Sequence, residues 1–310
     1  MTPNAAFRPY LLLTLTALFW SGNFVLGRGI REMIPPVSLG FWRWACALLI
    51  LLPFGLPRVR RQWDLVRRHW KMLALLSIPS IAVFNTFVYT ALQTTTTTNA
   101  ALVNAMTPIF IVVVSLLVFG VRLRLVQAAG VLISLVGLLF IVTQGDWGVL
   151  ARLSFSSGDG WTLAAALAWA IYSVLLRLKP VQMDPLTFLT VMVAWGVVFL
   201  LPFYLYELSS GGGFEISPAS ISVIMYVSLF PSVLAYIFWN YGVDRVGPGR
   251  AGLFIHLMPV FSILLAALLL GERVRQYHVI GMVLIFCGIV LNSRPAGQVR
   301  KPSNIENTKE

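Results

Sequence analysis

Stretches of about 20 apolar residues recur along the chain, each long enough to cross a bilayer as a helix. They run over Pro9–Gly29, Pro36–Leu56, Trp70–Leu92, Asn99–Phe119, Leu125–Val142, Gly160–Arg177, Pro185–Tyr206, Pro218–Tyr241, Gly249–Leu270 and Tyr277–Leu291. None shows the alternation over about ten residues that marks a strand of a membrane barrel. The pattern predicts ten transmembrane helices, which satisfy their backbone hydrogen bonds internally in lipid. The first stretch is too long for a secretory signal and no small-residue cleavage site follows it, so it reads as the first span. The polar, aperiodic sequence after Asn292 predicts a disordered cytoplasmic tail.

The pattern also repeats. ALFWSGNFVLGR, from Ala17 to Arg28, returns 149 residues later as ALAWAIYSVLLR, from Ala166 to Arg177. A longer echo pairs the run from Asn99 with the run from Arg250. Pro108 falls on Pro259, Gly120 on Gly271, Arg122 on Arg273, Arg124 on Arg275, Gly130 on Gly281 and Gly137 on Gly288. Upstream, Pro79 falls on Pro231. Matches of Leu and Ala between apolar helices are cheap, but Pro, Gly, Trp and Arg in register are not. The chain therefore reads as an internal duplication.

Five helices per copy is an odd number, so the second copy enters the membrane with the opposite orientation. Inverted-topology repeats of this kind, related by a pseudo-two-fold axis in the membrane plane, characterise secondary transporters. The expected organisation is a cytoplasmic N-terminus (1–8), a first repeat (9–143), an external linker (144–158), a second repeat (159–292) and a tail (293–310). The fold class is an all-α integral membrane protein, two five-helix repeats around a central cavity.

Composition agrees. The chain of 310 residues is 58% hydrophobic and 11% charged, with mean hydropathy +0.83, whereas a soluble domain is about 25% charged. The net charge of +12 would suggest nucleic acid, but its placement argues otherwise. Arg8, the run from Arg58 to Lys71, Arg122, Arg124, Arg177, Lys179, Arg245, Arg250 and the tail fall on one side of the predicted membrane. Only Arg28, Arg31, Arg152, Arg273 and Arg275 fall on the other. This positive-inside asymmetry predicts cytoplasmic N- and C-termini and explains the basic charge without a nucleic-acid partner. The loop from Arg58 to Lys71 is placed against anionic lipid. Cys46 and Cys287 both fall in predicted helices, so no disulfide framework is expected.

Three stretches carry a family resemblance. LFWSGNFVLGR in the first helix, FWRWACALLILL in the second and, above all, LMPVFSILLAALLLGERVRQYHVIGMVLIFCGIVL from Leu257 to Leu291 resemble EamA-type members of the drug/metabolite transporter superfamily. The resemblance covers about residues 8 to 293. It implies ten helices in two inverted repeats, a central cavity, a bacterial inner-membrane location and movement of small metabolites, with export of amino acids or related compounds common among relatives. The first repeat departs from the pattern: Phe119-Gly120-Val121 stands where the second has Leu270-Gly271-Glu272.

Polar residues inside spans are costly in lipid and usually face the bundle interior or a cavity. The candidate substrate-binding residues are Trp20 and Asn23, Asn85 and Tyr89, Asn104, Trp169 and Tyr172, Tyr236, Trp239 and Asn240, and His256. Each has a blander reading. Trp and Tyr also serve as interfacial anchors, Asn as helix–helix glue, and His256 as one satisfied interhelical hydrogen bond. Arg43 opens the second span near enough to an interface to snorkel, so a structural contact outweighs substrate binding there. Pro79, Pro108, Pro231 and Pro259 are candidate kinks for gating. QTTTTTN, Gln93 to Asn99, reads as an uncharged outer turn that caps helices.

No Walker loop, catalytic constellation or metal-ligand spacing appears, so no cofactor, no metal and no enzymatic activity is expected. All Asp and Glu residues fall in loops, at helix ends or in the tail. The expected function is a secondary transporter exporting amino acids or aromatic and amphipathic compounds by alternating access, through facilitated diffusion or exchange. The alternatives are a proton-coupled antiporter using His256, an importer of the same fold, and a non-transporting membrane receptor or scaffold. The expected partners are a small solute and the bilayer, with the chain as a monomer.

Overall fold

A computed structural model describes residues 3–29, 33–95, 97–121, 123–154, 156–270 and 273–293. The described chain is helical with no strand. Ten long helical stretches follow one another: α1 (Pro3–Gly29), α2 (Pro36–Arg61), α3 (Trp63–Thr94), α4 (Asn99–Phe119), α5 (Leu125–Val142), α6 (Ser157–Leu178), α7 (Pro185–Ser209), α8 (Pro218–Val246), α9 (Pro248–Leu265) and α10 (Gln276–Ser293). Among the described residues, the nine from α2 to α10 are long and apolar enough to cross a membrane. The tail from Arg294, together with Arg31, Arg122, Gly271 and Glu272, lies outside the described residues.

Local chemistry sets the helix ends. Proline opens α2, α7, α8 and α9, where its missing N–H costs nothing and its fixed φ suits a first turn. Gly120 closes α4 with φ +65°, its N–H bonded to the Leu116 carbonyl at 2.9 Å, a left-handed cap that Gly adopts without strain. Asp184 caps α7 by accepting from Leu186 and Thr187 N–H groups. Glu207, near the end of α7, caps a different helix: it accepts from the backbone N–H groups of Val37 (3.1 Å) and Ser38 (2.7 Å) at the start of α2.

One expectation about connections is corrected. The basic stretch from Arg58 to Lys71 is not a loop, because α2 continues to Arg61 and α3 begins at Trp63. Long basic side chains let a helix run on past the apolar zone, and a single break at Gln62 suffices. The Gln62 side chain fastens that break to the α6–α7 connection through Gln182 O and Asp184 N, both at 2.9 Å. In the threonine stretch, the Thr95 hydroxyl and the Asn99 amide (2.9 Å) donate to Asp159. Asp159 also accepts from Ser156 N at 2.6 Å within the capping box of α6. The threonine turn thus tethers the first half to the opening of α6.

The helices pack as two sets of equivalent neighbours. α1 lies on α8 and α9, while α6 lies on α3 and α4; α2 pairs with α7, and α5 with α10. The last pair shows the relation most directly. A Cβ on Gly130 would lie 2.7 Å from the Gly288 carbonyl oxygen, and one on Gly137 would lie 2.7 Å from that of Gly281. The early glycine of α5 therefore meets the late glycine of α10, and the reverse, so the helices run antiparallel. Exchanging each residue for the one 151 positions away maps one contact onto the other. That is the geometry of a two-fold axis across the helices.

The prolines open the backbone in matching places. Pro79 and Pro231 each sit in a six-residue π-helical turn, Ile78–Val83 in α3 and Leu229–Leu234 in α8. Proline removes a donor and crowds the preceding turn, and the ladder slips: Phe84 N–H reaches Pro79 O and Ala235 N–H reaches Phe230 O, five residues back. The helix register thereby skips the carbonyls of Ser80 and Pro231. α4 and α9 break in parallel. α4 is interrupted between Asn104 and Thr107, and α9 passes through a 3-10 turn at Leu253–His256. Pro108 and Pro259 stand in the first turn of the helix that resumes, so they restart helices instead of kinking them midway.

Candidate functional site

The two freed carbonyls organise the centre of the molecule. Pro231 O accepts from the Trp20 indole N–H at 3.1 Å and from Arg43 Nη2 at 3.1 Å. Ser80 O accepts from the Tyr236 hydroxyl at 2.6 Å and the Asn85 amide at 3.3 Å. Trp20 and Arg43 come from the first half and reach a carbonyl of the second; Tyr236 does the converse. π turns frequently mark functional places in helices because they leave backbone groups available.

Arg43 does not snorkel. It is 1% exposed, and its guanidinium bonds to Ser232 Oγ (2.5 Å), Asn23 Oδ1 (3.2 Å), Tyr89 Oη (2.9 Å) and Pro231 O (3.1 Å). The Tyr89 hydroxyl in turn donates to Asn23 Oδ1 at 2.9 Å. All four acceptors are neutral, and among the described residues no carboxylate is within 4 Å of the guanidinium. The π turn in α8 supplies the carbonyl that makes this buried position tenable.

Aromatic rings complete the cluster. Trp20 and its counterpart Trp169 meet edge to face with centroids 4.9 Å apart. Trp239 packs on both, at 5.2 and 5.5 Å. Phe84, Tyr172 and Tyr236 surround Trp169 at 4.8, 5.3 and 5.4 Å. The Tyr172 hydroxyl donates to Asn240 Oδ1 at 2.6 Å. All of these rings but the half-buried Phe84 are buried, so Trp20, Trp169 and Trp239 lie in the core and not at a lipid–water boundary.

A small cavity of about 20 Å³ opens inside this cluster, room for one or two waters. Trp20, Asn23, Arg43, Phe84, Asn85, Asn104, Trp169, Ile255 and Met258 line it. Both halves contribute walls. Tyr89, Tyr172, Tyr236, Trp239 and Asn240 stand behind these residues and hold them.

His256 is placed apart. It is 1% exposed, with Nε2 bonded to Ala105 O at 3.1 Å and Nδ1 to Ser134 Oγ at 2.7 Å. Since a carbonyl can only accept, Nε2 carries the proton in that bond. The interaction joins His256 to the residue 151 positions earlier, so it sits on the pseudo-two-fold axis and pins α9 to α4. Sequence reasoning gave Arg43 only a structural part and overlooked Ser80, Ser232, Phe84 and Met258. The signal for Arg43 was present: an Arg within an apolar helix is expensive in lipid and marks a functional interior.

Comparison with known proteins fits this geometry. The sequence pattern of the EamA-like transporter family matches residues 7–143 and matches again over residues 156–294. The chain belongs to the EamA-like transporter family. It is 27% identical over 304 residues to an uncharacterized transporter, YyaM, of Bacillus subtilis, covering 97% of each chain. It is 26% identical over 292 residues to a protein of Salmonella typhimurium described as a probable amino-acid metabolite efflux pump, covering 91% of this chain and 93% of that one. A probable terminal-alkyne amino-acid exporter of Streptantibioticus cattleyicolor is 25% identical over 94% of this chain and 95% of its own. A crystal structure superposes with a TM-score of 0.74 at 21% identity, over 91% of this chain and 95% of that one, and shares the fold. This EamA-like chain is thus a multi-pass membrane protein of a transporter family, built as two repeats.

Proposed function

We propose that this chain is a secondary transporter that moves amino acids, or aromatic and amphipathic metabolites of similar size, by alternating access around the Arg43–Trp20–Trp169 cluster. The observation that carries the reading is the cavity itself: polar and aromatic, buried between the two repeats, and walled by both. Its present size holds water and nothing larger, so a solute enters only when the repeats move apart on one side. Equivalent neighbours related by a two-fold axis allow that opening to switch sides. The π turns at Pro79 and Pro231 are natural bending points on the helices that would move.

Export is the favoured direction, in a bacterial inner membrane with both termini in the cytoplasm. The positive-inside charge distribution and the two relatives described as amino-acid exporters support this. Facilitated diffusion or exchange is favoured over proton coupling, because both nitrogens of His256 are already engaged in fixing α9 to α4 and α5.

The test is flux from proteoliposomes holding the purified protein, with labelled amino acids and small aromatic metabolites, with and without a pH gradient. Saturable flux of one solute class without the gradient is expected. Flux that requires the gradient would favour the antiporter reading. Absence of any flux from folded protein would leave a receptor or scaffold on this fold.

A further inference from the structure

The cavity has more donors than acceptors. A guanidinium carries five N–H donors and no acceptor, and four of those of Arg43 are taken by Ser232, Asn23, Tyr89 and Pro231. One remains, on a residue that lines the cavity. The indole N–H of Trp169, which also lines it, is buried and has no hydrogen-bond acceptor. Buried donors without acceptors are uncommon in folded proteins and call for an explanation.

The charge is unbalanced as well. Arg stays protonated in any protein environment, yet no acidic residue lines the cavity and none is within 4 Å of the Arg43 guanidinium among the described residues. A cation at membrane depth held by neutral acceptors and the face of the Trp44 ring is costly, and the chain keeps it beside a cavity that both repeats build.

We infer that Arg43 is the anchor for a single carboxylate on the transported solute, and that the remainder of the solute packs against Trp20, Phe84 and Trp169. This rests on the transport reading above and sharpens it to a substrate class. An ionised carboxylate is an acceptor-only group, so it satisfies the spare guanidinium N–H and the Trp169 N–H at once. One guanidinium balances one negative charge. A dianion such as a phosphate monoester would remain uncompensated in the same site, so the solute is a monocarboxylate. Any ammonium group on it faces aromatic rings, which attract cations without carrying charge.

The experiment compares three labelled probes of one shape in proteoliposomes of the full chain: phenylalanine, phenylalaninamide and phenethylamine. The wild-type protein is expected to move phenylalanine at least tenfold faster than either analogue without the carboxylate. Arg43→Met is expected to erase that ratio, and Arg43→Lys to retain part of it because the charge stays. If Arg43 were only a structural tie, both variants would slow all probes alike and leave the ratio unchanged, which overturns the inference. The wild-type ratio decides even if Arg43→Met fails to fold: equal flux of the three probes ends the carboxylate assignment while leaving transport intact. No flux of any probe, or of any other amino acid, from folded wild-type protein ends the transport reading itself.

Discussion

Asn23 and Tyr89 in the first repeat, and Tyr172 and Asn240 in the second, make the same hydrogen bond with the residue types exchanged between helices. In one, a tyrosine on α3 donates to an asparagine on α1 (2.9 Å); in the other, a tyrosine on α6 donates to an asparagine on α8 (2.6 Å). Both repeats keep the bond because an unpaired polar group is expensive in lipid. The charge is not duplicated. The position 149 residues after Arg43 is Met192, fully buried beneath the same cluster. The α5–α10 seam, by contrast, repeats glycine against glycine carbonyl in both directions. The two repeats match at the glycine seam and differ at the buried charge.

Exchanging the charge across the repeats tests that division most severely. Met192→Arg would bury a second guanidinium where the freed Ser80 carbonyl already accepts from Tyr236 and Asn85, at a cost of about 3 kcal/mol or more. Loss of monodisperse protein in detergent is the expected result. Arg43→Met is the reverse case. It removes a costly buried ion and inserts a flexible apolar side chain, while Asn23 and Tyr89 keep their mutual bond and Pro231 O keeps Trp20. Its thermal unfolding midpoint should stay within a few degrees of wild type even as carboxylate selectivity disappears. Equal destabilisation by the two substitutions would break the comparison.

The seam predicts equal effects. Gly137→Ala would bring a Cβ to 2.7 Å of the Gly281 carbonyl oxygen, and its counterpart Gly288→Ala to 2.5 Å of that of Gly130. The obstructing atoms are backbone, so the helices must part, and each substitution should cost about 1–3 kcal/mol. Unfolding midpoints of the two variants that differ by less than their own errors would support a true two-fold seam. Tolerance of one and not the other would show that the halves pack differently there.

Much of this arrangement is readable before any coordinates. The pairings of Gly130 with Gly281, Gly137 with Gly288 and Pro79 with Pro231 are visible as sequence echoes, and an odd number of helices per copy implies inversion. What the echo does not reveal is which glycine touches which, because antiparallel packing joins Gly130 to Gly288 and not to its own counterpart. The tryptophans show the same limit. A period of 3.6 places Trp20 with Asn23, but the choice between a boundary anchor and a buried ring depends on depth and neighbours. Arg43 was hidden for a related reason. Its tenability depends on the Pro231 carbonyl, nearly 190 residues away, which only the π turn releases.

Removing one hydroxyl from each Tyr–Asn pair sharpens the comparison further. Tyr172→Phe takes away the donor bonded to Asn240 Oδ1, at about 1–2 kcal/mol. Tyr89→Phe should cost more, because it also removes the acceptor that Arg43 Nη1 reaches at 2.9 Å. The order of the two midpoints is the measurement. A larger loss at Tyr172 would mean that the bond from Arg43 Nη1 to Asn23 Oδ1, at 3.2 Å, makes good both losses at Tyr89.

The smallest effect expected lies at the ends of α6 and α8. Lys179 pairs with Asp244 there, with the aspartate side chain 37% exposed, whereas the position 151 residues before Asp244 holds the uncharged Gln93. The pair is therefore an addition of the second repeat. Exposure and the entropy of fixing two side chains limit such a bridge to about 1 kcal/mol or less. Asp244→Asn should lower the unfolding midpoint by no more than a few degrees, and the difference from wild type should shrink as salt is raised. A larger, salt-insensitive loss would mean that the bridge is held away from solvent. The second repeat would then possess a solvent-shielded ion pair at a position where the first repeat carries a neutral side chain.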